Sequence, residues 1–210
     1  MALEHHPRIV TNGLFLYYDF ANYRSYSGSG ITINNLISGY GGTLVNGPTF
    51  SSSNLGYVSF DGSNDYAQLT LPALTSWSFS FWIYNHTIPS SEKQLLSTYI
   101  DPTGLSMLST KYNIWNGSTN SSTSSVAQST WTNVVFTNSS GVGSSIFLNG
   151  VLDSSFATSN QIYSGDAQLL AINGTSRNTA AYLGSFLGYN RSLSASEVLQ
   201  NYNSTKKRYL

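Results

Sequence analysis

The chain has 210 residues, a formal net charge of zero and charged side chains at only 9% of positions, against 40% hydrophobic residues. That balance supplies no cationic field for nucleic acid or anionic lipid, and no apolar run approaches the roughly 20 residues of a membrane-spanning helix. There is no cysteine, which excludes disulfides and thiolate metal sites and leaves the redox compartment open. Ser, Thr and Asn make up about a third of the residues, a polar but uncharged surface over an aromatic core rather than the composition of a disordered chain. The length suits one β-sandwich.

Residues 1–13 read as a polar N-terminal arm without the apolar centre of a signal peptide. Its adjacent His5 and His6 fall short of the four ligands of a closed zinc site and read as solvated. Residues 14–20 (LFLYYDF) form the first predicted strand, and 22–40 a long loop rich in Ser, Gly and Asn. A short strand ends at Val45, before the Asn46-Gly47-Pro48 turn signal. The chain is organised around residues 57–84. Alternation on both sides of Asp61 and Asp65 predicts a hairpin, with Gly62 free to take positive φ and Asp61 able to bond the backbone ahead. After Pro72, Trp77, Phe79, Phe81 and Ile83 share one strand face, while Trp82 and Tyr84 put aromatics on the other. That is the pattern of a strand in the middle of a two-sheet stack.

Further strands are predicted at 94–100 and 105–110, around the Asp101-Pro102-Thr103-Gly104 turn, and at 112–115 and 131–137. Asn149-Gly150 is a strong hairpin signal between two more. Residues 118–129, almost wholly Ser, Thr and Asn, are predicted to be a flexible loop tip outside the core. Residues 182–189 read as the last long strand. The helix is predicted at 194–203, where Ser194 and Glu197 form a capping box and Val198, Leu199 and Tyr202 an apolar stripe. The expected fold is all-β: a two-sheet antiparallel jelly-roll sandwich with a short C-terminal helix, one domain over 14–210.

Several stretches carry a family resemblance: 16–22 (LYYDFAN), 25–30 (SYSGSG), 42–50 (GTLVNGPTF), 60–66 (FDGSNDY), 131–135 (WTNVV) with 147–150 (FLNG), and 184–202 (GSFLGYNRSLSASEVLQNY). In this order they resemble the laminin-G-like jelly-roll domains of the concanavalin A-like lectin/glucanase superfamily, of the kind found in structural proteins of tailed bacteriophages. The chain departs from that kind at 32–41 (TINNLISGYG), where the usual Trp and Asp of the loop are missing. The resemblance implies a concanavalin A-like scaffold in a virion structural or decoration protein, at the virion surface or outside the cell. It would dock to other virion or surface proteins, or to copies of itself, and not to nucleic acid or membrane. The alternative it implies is a carbohydrate-binding module for host-surface glycans, with calcium dependence as a variant.

Glycosidases also occur in the superfamily, with two carboxylates spaced two or four residues apart on one strand. Glycoside hydrolysis needs such a pair roughly 5–10 Å apart. Glu4, Glu92 and Glu197 have no acid within four residues, and the one pair at that spacing, Asp61 and Asp65, sits on a turn. No catalytic residue is therefore expected, and the chain reads as a non-enzyme. Asp61, Asn64 and Asp65 have two readings. They offer oxygen ligands for Ca2+ from one loop, or they form an Asx-turn and local backbone bonds, two acids being short of the six to eight ligands Ca2+ takes. A sugar would stack on a rim aromatic beside an amide, for which Tyr40, Tyr112, Trp115 and Asn116 are the candidates. Trp77, Trp82 and Trp131 read as core, and Lys206-Lys207-Arg208 as a cationic finish to the helix dipole.

Overall fold

The structure is a computed structural model that describes residues 8–37, 39–98, 104–115, 118–157, 163–174 and 176–210. In chain order its strands begin with β1 (Leu14–Asp19), β2 (Thr32–Ile33), β3 (Gly42–Val45), β4 (Thr49–Ser51), β5 (Tyr57–Asp61) and β6 (Tyr66–Leu74). Next come β7 (Trp77–Asn85), β8 (Lys93–Thr98), β9 (Gly104–Leu108), β10 (Lys111–Trp115) and β11 (Thr119–Ser125). The set ends with β12 (Trp131–Ser139), β13 (Gly143–Leu148), β14 (Val151–Phe156), β15 (Tyr163–Leu169) and β16 (Ala180–Tyr189), followed by helix α1 (Ala195–Thr205). The first sheet runs β14-β13-β12-β7-β16-β5-β4, with β1 also paired to β16; the second runs β11-β10-β9-β8-β15-β6-β3-β2. All strand pairs are antiparallel, so the expected two-sheet sandwich is what forms.

Strand β7 lies in the middle of the first sheet, and its alternation decides the core. Trp77, Phe79, Phe81 and Ile83 point between the sheets and are fully buried. Val134 and Phe136 of β12 and Phe186 of β16 flank them in register. Tyr163 meets Trp77 edge-on with ring centroids 5.1 Å apart, and the second sheet contributes Leu69, Leu96, Leu105, Ile114 and Leu169. Each such side chain contributes about 1.5–3 kcal/mol by leaving water.

Four sequence expectations change. The connection from Asp61 to Asp65 is not a hairpin: β5 pairs with β4 and β16 in the first sheet, whereas β6 pairs with β3 and β15 in the second. Both strands bury alternate residues against one core from opposite sides, and that period is the same as in a hairpin. The Ser/Thr-rich segment is not a loop tip. Residues 119–125 form the edge strand β11 on β10, where the buried Ser122 hydroxyl accepts the Tyr112 N–H (3.0 Å), and Val126 beyond it enters the core. Within the long 22–40 segment, β2 buries Ile33 completely. Strand β15 is not marked by sequence alternation, because Gly165 (φ 75°) and Asp166 interrupt it at a register shift. The Asn149-Gly150 hairpin forms as expected, with φ of 50° and 82°, the signs a type I′ turn requires. Residues 101–103 of the expected Asp-Pro-Thr-Gly turn lie outside the described residues.

Part of the outer face of the first sheet is covered by residues 9–14 and by α1 with the turn that follows it. Val198 of α1 packs with Val10, Leu14, Val135, Leu187 and Leu193. The Val10 N–H donates to Asn201 Oδ1 (2.8 Å), and the Tyr189 hydroxyl to the Val10 carbonyl (2.9 Å). Past the helix, Tyr209 stacks on Trp82 at 4.2 Å. Its ring takes the space a side chain on Gly184 would need: a Cβ there would sit 2.5 Å from the ring. The helix starts with the complete capping box of Ser194 and Glu197, and Glu197 also holds Arg191 through two bonds of 2.7 and 2.9 Å. The hydrogen bond from Arg191 pulls the Glu197 pKa down from 4.5 to about 2. A depressed carboxylate stabilises the fold above its unfolded pKa, and that contribution fades as pH falls toward the folded value. Glu197→Ala should therefore lower stability by about 1 kcal/mol near neutrality, allowing for solvent screening of the pair. In paired thermal melts the difference from wild type should shrink steadily between pH 4.5 and pH 2.

Candidate functional site

Outward-facing positions of a solvated sheet usually carry polar side chains. On the first sheet they carry aromatics. Tyr182 of β16, Tyr84 of β7 and Trp131 of β12 stand opposite one another in a single row, and Tyr57 of β5 joins them from the next strand. Tyr57 and Tyr182 stack at 4.2 Å and 27°, and Tyr84 and Tyr182 at 5.2 Å and 22°. Trp131 meets Tyr57 and Tyr84 edge-on at 5.8 and 5.7 Å, and His86 meets Tyr182 edge-on at 4.2 Å. Tyr209 closes one side of the group against Trp131 (4.8 Å). Trp131 is buried, but Tyr57, Tyr84, Tyr182 and His86 remain half-exposed.

Burial lowers the His86 pKa, so near pH 7 its imidazole is neutral and offers one donor and one acceptor. Burial, with Tyr57 close by, raises that of Tyr182, which keeps its phenolic proton. The patch thus combines apolar ring surface with neutral hydrogen-bonding groups, the pairing that a sugar's C–H face and hydroxyls require.

The aromatics singled out from sequence are not gathered in this way. Tyr112 and Ile114 face inward from β10, and Tyr112 is fully enclosed, its hydroxyl bonded to Asn85 Nδ2 (3.2 Å). It has no face to offer a sugar. Trp115, three residues along and so on the other face of the strand, is half-buried opposite Gly104 and Thr119. Tyr40 is 39% exposed and edge-on to Phe15 at 5.8 Å, with its carbonyl accepting the Tyr18 hydroxyl (2.8 Å). Asn116 lies outside the described residues. The signal for the aromatic patch was the second face of β7, where Tyr84 follows Trp82 at strand spacing.

The acidic turn closes the rim where β5 crosses to β6. Asp61 Oδ1 accepts the N–H groups of Ser63 (2.7 Å) and Asn64 (3.4 Å), forming an Asx-turn, and Asp65 Oδ2 accepts the Asp61 N–H (3.1 Å). The Asn64 carbonyl takes Asn46 Nδ2 (2.9 Å). The Ser63 bond holds Asp61 below the usual carboxylate range, whereas burial raises Asp65. Beside the turn is a cavity of about 100 Å3 lined by Asp61, Gly62, Lys93 and Asn178, among others. Among the described residues no group of three or more His, Cys, Asp or Glu is placed to hold a metal.

The other described carboxylates are occupied by structural partners. Asp19 pairs with Arg208, Glu92 with Arg177 (2.8 Å) and Glu197 with Arg191. Asp153 accepts the Thr123 and Ser124 N–H groups, and Asp166 the Thr70 hydroxyl.

Two antiparallel sheets sharing one core, with a hydrogen-bonding aromatic surface on an outer face, define a lectin-like sandwich. A laminin-G family model, described as the concanavalin A-like lectin/glucanases superfamily, matches residues 61–199, and the chain belongs to that superfamily. No curated protein matches the sequence. Among solved structures, a Trypanosoma rangeli sialidase matches with a TM-score of 0.71 and 15% identity, over 95% of this chain and 34% of that one. The same sialidase in complex with sialic acid matches equally well. The botulinum neurotoxin type G receptor binding domain matches with a TM-score of 0.70 and 16% identity, over 91% of this chain and 51% of that one. The chain thus spans a third to a half of the proteins it matches, and at these identities the likeness is one of fold.

The geometry assigns Asp61 to the turn, and a conservative pair of substitutions tests that role. Asp61→Asn keeps the side-chain acceptor and should melt with the wild type, while Asp61→Ala should lose about 1 kcal/mol. Both differences should be the same in EDTA and in millimolar Ca2+; a midpoint that EDTA lowers in the wild type alone would instead make Asp61 a Ca2+ ligand.

Proposed function

We propose that this chain is a non-enzymatic surface protein whose lectin-like sandwich holds glycans through the patch formed by Tyr57, Tyr84, Tyr182 and His86 over Trp131. The observation that carries this is the stacked tyrosine row left half-exposed on the outer face of the first sheet. The core between the sheets is filled by other aromatics; the row packs instead on Trp131 and its neighbours on the outer face. Each described carboxylate has a structural partner, in a turn, a cap, an ion pair, a backbone bond to β11 (Asp153) or the Thr70 hydroxyl (Asp166), which supports binding without catalysis, since hydrolysis of a glycosidic bond needs one acid free to donate and another free to attack. Matches to a sialidase and to a toxin's receptor binding domain support a surface-recognition role for the scaffold.

Display on a particle is the context we propose, and the order of sequence motifs shared with tailed-phage structural proteins supports it. In that setting the sandwich is a decoration protein docked to other virion proteins or to copies of itself. Calcium at the Asp61–Asp65 rim is an added variant of this reading, tested by the EDTA comparison above.

Glycan-array binding and calorimetry on the wild type, Tyr182→Ala and Tyr57→Ala are the test. Loss of one stacking ring should weaken binding about two- to tenfold, with far-UV circular dichroism unchanged. An array that stays blank in millimolar Ca2+, or a Tyr182→Ala protein that binds as the wild type does, removes the patch as the glycan site.

A further inference from the structure

The turn between β4 and β5 is strained without serving the core. Asn54 (φ 49°) and Leu55 (φ 65°) are successive non-glycine residues in the left-handed region, a conformation that strains each of them. No residue of the turn Ser53–Leu55 is buried, and Leu55 is 71% exposed. The turn is nevertheless held on both sides. Arg208, itself paired with Asp19, donates from Nε to the Asn54 carbonyl (3.2 Å) and from Nη2 to that of Gly56. A side chain at Gly56 would strike the Phe20 carbonyl, so the turn lies close against the residue that follows β1. Leu55 is thus a fixed apolar projection.

Beside it is a pocket of about 190 Å3, lined by Leu55 itself with Phe20, Tyr23, Tyr26, Gly28 and Phe50, among others. Tyr26 meets Phe20 at 5.8 Å and Phe50 at 5.7 Å between ring centroids. Phe20 and Tyr26 belong to the core between the sheets, so this pocket is separate from the tyrosine patch on the outer face. Tyr23, which also lines it, is 78% exposed. The volume decides what fits. A cavity of about 150 Å3 admits a benzene ring, whereas small-molecule sites run from roughly 300 to 1,000 Å3. The pocket therefore suits one inserted side chain. Among the described residues no charged side chain lines it.

We infer that a second copy of this chain docks here about a two-fold axis beside Leu55, so that Leu55 of each copy fills the pocket of the other. Two observations select a second copy over a different partner. Projection and pocket share one surface, and Leu55 is itself a wall of the pocket. A rotation about an axis beside that residue makes both insertions at once, as an isologous contact requires. Identical surfaces also bring like charges together, and neither the pocket lining nor the turn Ser53–Leu55 carries a charge. The contact takes Leu55 and Tyr23, which the single chain leaves in water, out of it. It gives docking between copies a surface and does not depend on the glycan reading.

Sedimentation equilibrium of the full chain, at concentrations up to about 1 mM, tests the pairing. Expected is a dimer with a Kd of about 100 µM or tighter. Leu55→Asp sets two like charges beside the axis and should weaken that Kd about tenfold or more. Leu55→Gly removes the projection while releasing the left-handed strain. It should weaken the Kd to a similar degree, about tenfold, and at a concentration where the wild type is monomeric it should melt at the same temperature or higher. Tyr182→Ala, in the tyrosine patch, and Val142→Asp, 74% exposed in the turn between β12 and β13, should dimerise as the wild type does. A wild type that stays monomeric at about 1 mM, a dimer that survives Leu55→Asp, or one that Tyr182→Ala abolishes would each overturn the assignment.

Discussion

Strand β16 holds β7 along one edge and divides the other between β5 and β1. A strand shared by three neighbours must have a point where one partner leaves and the next has not arrived, and backbone groups exposed there need other partners. That point is Gly184. Its carbonyl accepts the Phe20 N–H (3.1 Å) and an Arg208 N–H (3.1 Å), so residues from both ends of the domain satisfy it. The register against β7 also shifts between Leu183 and Ser185, and the absence of a side chain at Gly184 admits the Tyr209 ring. One glycine therefore fixes where the N-terminal strand begins its pairing and where the C-terminal turn can land. The docked turn in turn brings Tyr209 over Trp82 and Trp131, which sets how much of the outer face is sealed.

What could be read in the sequence was which face each strand buries. Trp77, Phe79, Phe81 and Ile83 announced an inward face, and Ser194 with Glu197 announced the helix start, because both signals are local. Pairing is not local. β5 and β6 alternate as two hairpin strands would, and only the partners β4, β16, β3 and β15 reveal that they belong to different sheets. β11 was hidden for another reason: an edge strand needs few buried side chains, so a run of Ser and Thr suffices where the hydroxyls also serve the backbone, as Ser122 serves Tyr112. The inward position of Tyr112 is legible from strand parity. It shares its parity with the core residue Ile114 and not with Trp115.

The tyrosine patch was half legible. Aromatics at Trp82 and Tyr84 were correctly placed on the second face of β7, but a second aromatic face implied a covered one. Coverage turns out to be partial. Tyr202 and Tyr209 stack on Trp82, while Tyr84, Tyr182 and Tyr57 stay partly exposed beyond them. No periodicity within β7 carries that information, because it depends on where the C-terminal turn meets Gly184.

The two outer faces differ in how far their polar groups satisfy each other. In the middle of the second sheet, Gln68, Gln168 and Ser97 stand in one row. Gln168 Nε2 donates to Gln68 Oε1 (3.2 Å), Gln168 Oε1 accepts the Gly174 N–H (2.9 Å), and the Ser97 hydroxyl donates to the Ala171 carbonyl (2.7 Å). That row is closed by its own chain, and a ligand there would have to replace bonds already made, which gives little net gain. On the first sheet the ring surfaces of the patch are left partly open to solvent. With charged side chains at only 9% of positions, and Arg208, Arg191 and Arg177 held in ion pairs, recognition by the proposed patch would rest on neutral hydrogen bonds and ring stacking. Those forces discriminate by shape and hydroxyl geometry rather than by charge, and both demand a rigid platform. The docking of β1, Val10 and the Arg208–Tyr209 turn on β16 provides one.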